Sequence, residues 1–433
     1  MELKKVLIIS PYFPPSNGAD MHRIRMSLSF FKAFGWHAEV LTVSHEYADI
    51  PKDELLLLSI HEDTKQHQVR ALSKKWTSKF GLGSIALRSL WFFRKKVNEL
   101  LKENKFDLIY FSTTQFPVCI LGAQWKKRFG IPYVIDMQDP WHSEYYRNKP
   151  KHEQPPKYWF SYRLNKHLEP IALRHAGGLI SVSENYITDL KNRYPEIKNI
   201  PAATVPFGAL AADLKIANDN QRLFNHILDA DMVNIVYIGR GGADMSNAVS
   251  ALFNAIKIGA KTEPETFEKI KLYFIGTSYA PTGQGRSSIL PIARQFGMED
   301  KVVEMTDRIS FYHTLATLQN ADALFMPGSD DPKYSASKIY PYLLTKKPLL
   351  AIFNSRSPAL EILKGCGASY AYSYDGTDQI ELKIIQFIKK IVSGDIGEQS
   401  YDDDYIQQYS AENLTRAQCE IFDQVISRTT NSK

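Results

Sequence analysis

The sequence predicts an α/β protein built from two mainly parallel sheets. Short apolar runs typical of buried strands alternate with helical patterns along most of the chain, and the alternation restarts after a break near residue 207. A length of 433 residues, 44% of them hydrophobic, is enough for more than one domain core. We therefore predict an N-terminal domain over 1–207, a C-terminal domain over 208–400 and a helical segment over 401–433.

The first half begins with a predicted strand at 5–10, followed by a Pro- and Gly-rich loop, a helical pattern at 22–34 and a second strand at 37–43. Further strands are predicted at 107–112, 131–136 and 178–183, with helices at 116–129 and 184–193. Ligands of open parallel sheets bind beyond the carboxyl ends of the strands. The loop around Gly18 and the loop after residue 136 are therefore candidate walls of a site, and a tight turn is the alternative role for Gly18.

The second half repeats this pattern after a break that contains Pro201, Pro206 and Gly208. Strands are predicted at 234–239, 271–276, 302–305, 323–326 and 349–353, and helices at 246–258, 288–296 and 311–320. A final helix is predicted at 404–428. The two halves are comparable in length and in element order, which indicates two similar α/β domains.

The stretch 334–352 contains the strongest candidate ligand site. Ser335 and Ser337 can cap a helix whose apolar face follows, and the start of a capped helix offers unpaired N–H groups and the positive end of the helix dipole. Lys338 adds a positive charge at this point. We predict that a nucleotide diphosphate binds here.

Basic residues are concentrated in two stretches rather than spread over the chain. Residues 65–105 carry eleven Lys or Arg against two acids, Glu99 and Glu103, and residues 145–166 form a second basic stretch; both contain aromatic residues. Such surfaces suit an anionic membrane, and a solvated helical face with its aromatic residues turned to the core is the alternative. No recognition motif accompanies the charge, so we expect no nucleic acid partner.

The cysteines and the N-terminus indicate the compartment. Cys119, Cys366 and Cys419 show no paired spacing, and the apolar run near the start is too short for a signal or a membrane span. The expectation is a cytoplasmic protein, with peripheral attachment to the inner face of the cytoplasmic membrane as a further possibility of the basic stretches.

Several motifs together resemble those of a known family. The segments IISPYFPPSNGADMHR, PYVIDMQDPW, IVYIGRGG and SASKIYPYLLTKKPLLAI, in this order, resemble the group-1 retaining glycosyltransferases of family 4. The resemblance implies the GT-B architecture, with two Rossmann-like parallel-sheet domains facing a central cleft and a C-terminal helix that crosses back to the first domain. It also implies that the acceptor binds mainly to the first domain and the nucleotide sugar to the second.

The resemblance assigns roles to particular residues. The predicted catalytic residues are Arg240 and Lys338, which would stabilise the leaving diphosphate, and Asp139, a polar contact or base for the acceptor. A capping or loop role is the alternative for Asp139, and a solvated surface charge is the alternative for each cation. The predicted donor-binding residues are Gly18, Gly239, Gly241, Arg308, Tyr334, Ser335, Ser337 and Ile339. The predicted acceptor-side residues are Asn17, Gln138 and Trp141.

The chain departs from the family pattern at three places. Lys333 and Pro341 stand where many members have two glutamates eight positions apart, and the lysine that often follows the arginine is missing after Arg240. Gln138, followed by Asp139, occupies the region of a frequent active-site histidine. We expect no metal, because cations and a helix dipole already face the phosphates, although the pair Asp330 and Asp331 could attract one.

These observations predict a retaining glycosyltransferase that moves a sugar from a UDP- or GDP-sugar to a glycan or lipid-linked acceptor in bacterial surface polysaccharide synthesis. A non-catalytic nucleotide-sugar-binding protein of the same fold is the first alternative, and the departures at Lys333 and Pro341 favour it. A nucleotide-sugar 2-epimerase is the second, and the acid and base groups that it requires are not evident in the sequence.

Overall fold

The structure is a computed structural model that describes residues 3–144, 146–147, 149–151, 154, 157–331, 338–376 and 379–431. The chain forms two compact units, one of residues 1–208 with 411–433 and the other of residues 209–410, here called unit 1 and unit 2. The boundary between the units thus lies one residue beyond the predicted one.

Unit 1 contains a parallel sheet with the strand order β3-β2-β1-β4-β5-β6-β7 in the described part of the chain. Its strands are β1 (Lys4–Ile9), β2 (Trp36–Val43), β3 (Gln66–Val69), β4 (Leu108–Ser112), β5 (Tyr133–Met137), β6 (Gly178–Ser181) and β7 (Ala202–Thr204). Its helices before the break are α1 (Met21–Ser27), α2 (Lys74–Thr77), α3 (Ile85–Glu103), α4 (Ile120–Phe129), α5 (Tyr158–Leu173) and α6 (Glu184–Arg193).

Both faces of this sheet are covered, which explains the continuous apolar runs in the sequence. Side chains alternate between the two faces of a strand. Leu7 and Ile9 accordingly enter one apolar core of unit 1, while Val6 and Ile8 enter the other, and all four are fully buried.

Unit 2 repeats the design with a sheet in the order β10-β9-β8-β11-β12-β13, counted over its described residues. Its strands are β8 (Val233–Ile238), β9 (Ile270–Ile275), β10 (Val302–Met305), β11 (Ala323–Pro327), β12 (Leu349–Phe353) and β13 (Ala371–Ser373). Its helices are α7 (Ala211–Asp219), α8 (Ser246–Thr262), α9 (Pro264–Glu268), α10 (Leu290–Phe296), α11 (Phe311–Asn320), α12 (Ile339–Leu344), α13 (Pro358–Gly365), α14 (Ile380–Ser393) and α15 (Asp403–Gln407).

The last helix, α16 (Ala411–Asn431), belongs to unit 1. Its Phe422 ring lies 4.9 Å from the Tyr110 ring and 5.3 Å from the Trp36 ring, and Nε2 of Gln418 donates a 2.9 Å hydrogen bond to Ser27 Oγ. The C-terminal helix thus crosses back to the first domain, as the resemblance implies.

The helix predicted over 404–428 is therefore two helices, and this prediction was wrong in detail. Residues 403–407 form α15 in unit 2, where the Tyr409 ring stacks on Tyr340 at 4.2 Å and lies 6.1 Å from Tyr405. These aromatic contacts hold residues 405–409 on unit 2, so the chain must break its helix before it returns to unit 1.

In both sheets the strand order reverses beside the central strand, between β1 and β4 in unit 1 and between β8 and β11 in unit 2. The loops at the carboxyl ends of these strands diverge to opposite faces and leave a crevice, which is the usual ligand position in such sheets. The described candidate residues Gly18, Gly239, Arg240 and Gly241 follow β1 or β8. No helix in the described ranges is long and apolar enough to cross a membrane.

Candidate active site

Lys338 lies at the carboxyl end of the central strand of unit 2. It immediately precedes α12, and its Nζ donates a 2.9 Å hydrogen bond to the carbonyl oxygen of Ile238, the last residue of β8. The ammonium also lies 5.6 Å from the centre of the Tyr237 ring. Burial, with the charges of Arg308 and Arg240, lowers the pKa of Lys338 to about 8.

Gly239 provides the space for this lysine. A Cβ atom at position 239 would collide with Nζ of Lys338 and with the hydroxyl of Tyr237. The Gly239 N–H donates to the carbonyl of Ile275 at 2.8 Å, which extends the pairing of β8 with β9 by one residue. The absence of a side chain at Gly239 therefore permits a buried cation under the loop after β8.

Arg240 is held by a carboxylate that sequence reasoning missed. Its Nη1 and Nη2 donate to Oδ1 and Oδ2 of Asp244 at 2.9 and 2.7 Å, which is a bidentate ion pair. Both side chains are about one-third exposed, at 28% and 31%. The hydrogen bonds from Arg240 lower the pKa of Asp244. The i, i+4 spacing was visible in the sequence, but many such pairs are possible in any chain.

Further contacts fix Asp244 itself. Ser329, in the loop after β11, donates a 2.7 Å hydrogen bond to Oδ2 of Asp244. The N–H of Asp330 donates to the backbone carbonyl of Asp244 at 2.7 Å. The loops after β8 and β11 are thus tied together on either side of the point where the strand order reverses.

Arg308 follows β10 and is exposed, with its guanidinium 4.1 Å from the centre of the Tyr279 ring. Asp307 beside it accepts a hydrogen bond from the N–H of Gly283 at 3.0 Å, which joins the loops after β9 and β10. The positive charge of Arg308 contributes to the lowered pKa of Lys338. The structure therefore brings three of the predicted cations, Arg240, Arg308 and Lys338, to one edge of the unit 2 sheet.

One helix start near this edge already has an anion. The carboxylate of Glu304 accepts from the N–H groups of Ser288, Ile289 and Leu290 at 2.8 to 3.1 Å and from Thr277 Oγ1 at 2.8 Å. A protein side chain thus satisfies the start of α10. This helix does not offer its N–H groups to a phosphate.

The remaining donor-side predictions divide into three groups. Gly241 lies in the loop after β8, and its N–H donates to the carbonyl of Thr277 at 2.8 Å. Ile339 is 1% exposed and lies in the apolar core, so only its backbone can face a ligand. Tyr334, Ser335 and Ser337, with Lys333, lie outside the described residues. Pro341 is the third residue of α12, where a missing N–H is least costly.

The loop after β1 in unit 1 contains Asn17 and Gly18. The N–H of Asn17 donates to Pro51 at 2.9 Å, and the side chain is partly exposed. A Cβ at position 18 would lie 2.9 Å from Oδ1 of Asp20 and 3.0 Å from Cβ of Tyr12. Gly18 is therefore required by the packing of its own loop, the tight-turn role that the sequence left open.

Below this loop lies a buried polar network. Nε of Arg23 lies 2.7 Å from Oδ2 of Asp136, with the two side chains 3% and 0% exposed. Nε2 of Gln138 donates to the same Oδ2 and to Ser112 Oγ, both at 2.9 Å. Burial raises the pKa of Asp136, and the charge of Arg23 opposes the shift. Oε1 of Gln138 has no partner among the described residues.

Asp139 lies at the protein surface, whereas Trp141 is buried. Asp139 is exposed, although the protein around its carboxyl raises its pKa by desolvation. Trp141 is 5% exposed: its ring stacks on Phe116 at 5.4 Å, and its Nε1 donates to Asn165 Oδ1 at 3.2 Å. The structure therefore places Trp141 in the core, where it supports the loop after β5 rather than presenting its ring.

Within the described ranges no group of three or more His, Cys, Asp or Glu side chains is arranged to hold a metal ion. Asp330 and Asp331 are described, and they do not converge with a third such ligand.

The two parallel sheets, their switch points and the returning C-terminal helix define the class of protein, a two-domain GT-B fold. Solved structures confirm this class. A glycosyltransferase from Rickettsia africae matches with a TM-score of 0.56 and 12% identity, covering 98% of this chain and 99% of that chain. Anabaena HepE in complex with UDP matches with a TM-score of 0.51 and 16% identity, covering 99% and 100%.

An E. coli structure described as trehalose-6-phosphate bound with UDP-2-fluoro glucose also matches, with a TM-score of 0.53 and 13% identity over 98% of this chain and 99% of that chain. At such identities these similarities show the fold alone. No curated protein sequence matches the chain at a significant level.

A family model matches part of unit 1. Residues 35–208 match the model of the family described as Glycosyltransferase Family 4. This match, which lies within unit 1, confirms the resemblance that the motifs predict.

Proposed function

We propose that the chain is a retaining glycosyltransferase that moves a sugar from a nucleotide diphosphate sugar to a glycan or lipid-linked acceptor. The observation that supports this most is the meeting of Arg240, Arg308 and Lys338 at the carboxyl edge of the unit 2 sheet. The mutual repulsion of these cations contributes to the lowered pKa of Lys338. An anion bound among them would relieve that repulsion, and a diphosphate has the required charge.

The donor is a UDP- or GDP-sugar in this proposal. Two structures of the same fold were solved with UDP or with UDP-2-fluoro glucose, which favours UDP as the first nucleotide to test. We place the reaction in the synthesis of a bacterial surface polysaccharide or glycolipid at the cytoplasmic membrane face. The family resemblance and the basic stretches of unit 1 support that setting.

The chemical step requires stabilisation of the leaving group. The bond between the sugar C1 and the diphosphate oxygen breaks, the acceptor oxygen bonds to C1 on the same face, and the acceptor proton passes to a phosphate oxygen. Lys338 and Arg308 would stabilise the charge that develops on the diphosphate, since fixed cations in a partly desolvated site act strongly on such charge. No metal is required for this step in the proposal.

Arg240 plays a more particular part. Its two terminal nitrogens are engaged by Asp244, so a diphosphate reaches it through the other N–H groups or by displacing the carboxylate. Asp244 therefore orients the guanidinium and competes with the donor for it. On the acceptor side, the exposed Asp139 carboxylate is the candidate polar contact for the acceptor hydroxyl, and the amide oxygen of Gln138, buried and without a partner among the described residues, is a second candidate.

The test is turnover with defined donors. The purified protein is incubated with UDP-, GDP- and dTDP-sugars and a set of glycan and lipid-linked acceptors, and the anomeric configuration of any product is read by NMR. Lys338→Met and Arg240→Ala should lose activity, while Lys390→Met and Arg294→Ala, at exposed positions of unit 2, should keep it. A product of inverted configuration would contradict the retaining mechanism.

A non-catalytic nucleotide-sugar-binding protein is the second candidate. Lys333 and Pro341 at the family's glutamate positions favour it, as does the engagement of Arg240 by Asp244. Donor binding that depends on Lys338, without turnover on any acceptor, would identify this function. Interconversion of the donor to its 2-epimer without acceptor would identify the epimerase instead.

A further inference from the structure

The tryptophans of this chain fall into two sharply different groups. Of the six, Trp36, Trp125 and Trp141 are at most 5% exposed and lie in the cores of unit 1. Trp76, Trp91 and Trp159 are 66%, 63% and 65% exposed. A large apolar ring rarely stays so open to water without a partner, and all three exposed rings lie in the two basic stretches.

Two pieces of chain lie side by side on the surface of unit 1. The first is the segment 73–82, which contains α2, and the second is the start of α5. Nζ of Lys157 donates a 3.4 Å hydrogen bond to the carbonyl of Ser78, and a Cβ at Gly81 would lie 2.9 Å from the Phe160 ring. Gly81 has φ = +76°, so a glycine is favoured at this close contact.

We call these two pieces together the basic aromatic surface. Its exposed members are Lys74, Lys75, Trp76, Lys79, Phe80, Lys157, Trp159, Arg163 and Lys166. Phe80 is the most exposed of its rings, at 76%. Neither residues 73–82 nor residues 157–167 contain an acid.

Each exposed tryptophan of this surface has a cation beside it. Nζ of Lys79 lies 5.1 Å from the centre of the Trp76 ring, and the Arg163 guanidinium lies 5.7 Å from that of Trp159. The same arrangement recurs on the solvent side of α3, where Lys95 lies 5.9 Å from the centre of the Trp91 ring. Rings and charges are thus presented side by side rather than on opposite faces.

We propose that the basic aromatic surface of unit 1 docks on an anionic lipid bilayer. Tryptophan is the residue preferred at the membrane interface, and Lys and Arg beside it meet anionic headgroups while their stems remain against the rings. The alternative of a solvated helical face is disfavoured here, because the aromatic residues that it would turn to the core are exposed. The proposal is independent of the donor site, since it concerns unit 1 and needs no nucleotide.

Lipid is favoured over duplex nucleic acid by the size and exposure of the rings, because a duplex is bound mainly through its phosphates and base edges. α2 has four residues, which is too short to serve as a recognition helix in a groove. Binding to single-stranded RNA or DNA is retained as an outcome of the test below, because aromatic rings and lysines could also serve that partner.

The experiment is co-sedimentation of the full chain, without nucleotide, with vesicles of phosphatidylcholine alone or of phosphatidylcholine with phosphatidylglycerol. Binding should require phosphatidylglycerol and should weaken as the salt rises from about 0.01 M to about 0.15 M, because the Debye length falls from roughly 30 Å to about 8 Å. Equal binding to both vesicle types, or none to either, would overturn the proposal.

Two double variants distinguish the contribution of the lysine charges to vesicle binding from that of the inserted aromatic rings. Lys75→Gln with Lys79→Gln should weaken binding about 25-fold, since each basic side chain near an anionic surface is worth roughly five-fold. Trp76→Ser with Phe80→Ser should weaken it roughly ten-fold or more and reduce the blue shift of tryptophan emission on binding, because only Trp159 then remains on this surface. These side chains are exposed, so unchanged unfolding curves will show that both variants are folded.

The matched controls lie elsewhere on the chain. Leu58→Ser removes an apolar side chain of unit 1 that is 60% exposed. Leu58 lies outside the basic aromatic surface, in the short helical segment Glu54–Ser59, which begins with an acid. Lys389→Gln with Lys390→Gln removes two lysines of unit 2. Both controls should bind vesicles as the parent does. If they weaken binding equally, or if a nucleic acid and no vesicle binds to the parent, the docking surface is not the one proposed.

Discussion

The carboxyl edges of the two sheets carry opposite chemistry on the same framework. In unit 1, the acids Asp20 and Asp136 are buried beneath the loops and engaged by neighbouring side chains and backbone. In unit 2, the cations Arg240 and Arg308 are partly or well exposed, and Lys338 lies beneath the loop after β8. The buried acids of the first edge have partners within the protein, whereas the second edge has a lysine whose pKa is lowered by burial and by its neighbouring cations. The comparison supports the proposed anion site in unit 2.

Arg23 of unit 1 and Lys338 of unit 2 differ in the number of partners that they have within the protein. Arg23 joins three parts of unit 1: its Nε faces Asp136, its Nη2 donates to Val205 at 2.7 Å and its Nη1 to Pro206 at 3.3 Å. A cation with so many partners stabilises the fold at the end of β5 and at residues 205–206, near the end of the first chain segment of unit 1. Among the described residues, Lys338 Nζ has one hydrogen bond, to a carbonyl, so a diphosphate could engage its other donors.

The largest expected effect is the loss of Arg23. Arg23→Ala leaves the Asp136 charge buried without its cation, and breaking a buried ion pair costs about 3–5 kcal/mol. All six tryptophans lie in unit 1, so tryptophan fluorescence during urea unfolding reports on that unit. We expect a lower free energy of unfolding for unit 1, with the nucleotide affinity of unit 2 unchanged.

The pH dependence of this variant has a definite sign. The pKa of Asp136 is already raised by burial and will rise further without Arg23. A raised carboxyl pKa costs stability above that pKa, so the destabilisation should shrink as the pH falls through it. Removing the exposed partner in Arg147→Ala, which pairs with Glu144, should cost no more than about 1 kcal/mol. A loss as small for Arg23→Ala would contradict the structural role.

The second expected effect is on donor binding. Lys338→Met keeps most of the packing volume but removes the charge, and a charged hydrogen bond to phosphate contributes about 1.5–3 kcal/mol. We therefore expect UDP or GDP affinity, measured by calorimetry, to fall roughly 10- to 100-fold. Lys390→Met provides the matched control. Unchanged affinity in Lys338→Met would remove the anion site from this edge of unit 2.

The sequence predicts the centre of each sheet better than its edges. The strands β1, β8, β11 and β12 are fully covered and stand out as apolar runs. The edge strands β3, β7 and β13 (QHQV, AAT and AYS) were not predicted, because they are short and carry few large apolar residues, whereas the equally short edge strand β10 (VVEM) was predicted. The helical pattern at 22–34 proved to be α1 followed by a single 3₁₀ turn at Phe31–Phe34, which ends at the left-handed Gly35.

The candidate site was predictable in its residue types but not in its contacts. Arg240 and Lys338 were found from motifs, whereas the hydrogen bond of Lys338 to Ile238 joins residues that are 100 positions apart. The ion pair with Asp244 depends on the turn at Gly241 and Gly242 rather than on a regular helix. Trp141 shows the converse: its motif indicates a site, while its ring belongs to the core. Local patterns cannot decide such long-range choices.

A smaller effect is expected from pH. A bound diphosphate favours the ammonium form of Lys338, so the affinity for UDP should be steady below about pH 8 and should fall above it, by at most ten-fold per pH unit. In Lys338→Arg this decline should disappear, because arginine remains charged throughout the range. Calorimetric titrations of both proteins across this range provide the measurement. The same decline in both would show that another group titrates.

The smallest expected effect concerns Asp244. In Asp244→Asn the carboxylate no longer competes for the Arg240 guanidinium, so UDP affinity should rise by a few-fold; the gain is small because the pair is partly exposed and screened by water. Asp395→Asn, at an exposed position of unit 2, should leave the affinity unchanged. Weaker binding in Asp244→Asn would instead mean that orienting Arg240 matters more than competing for it. The acid would then be part of the donor site, and the cationic edge of unit 2 would depend on an internal ion pair, as the edge of unit 1 does.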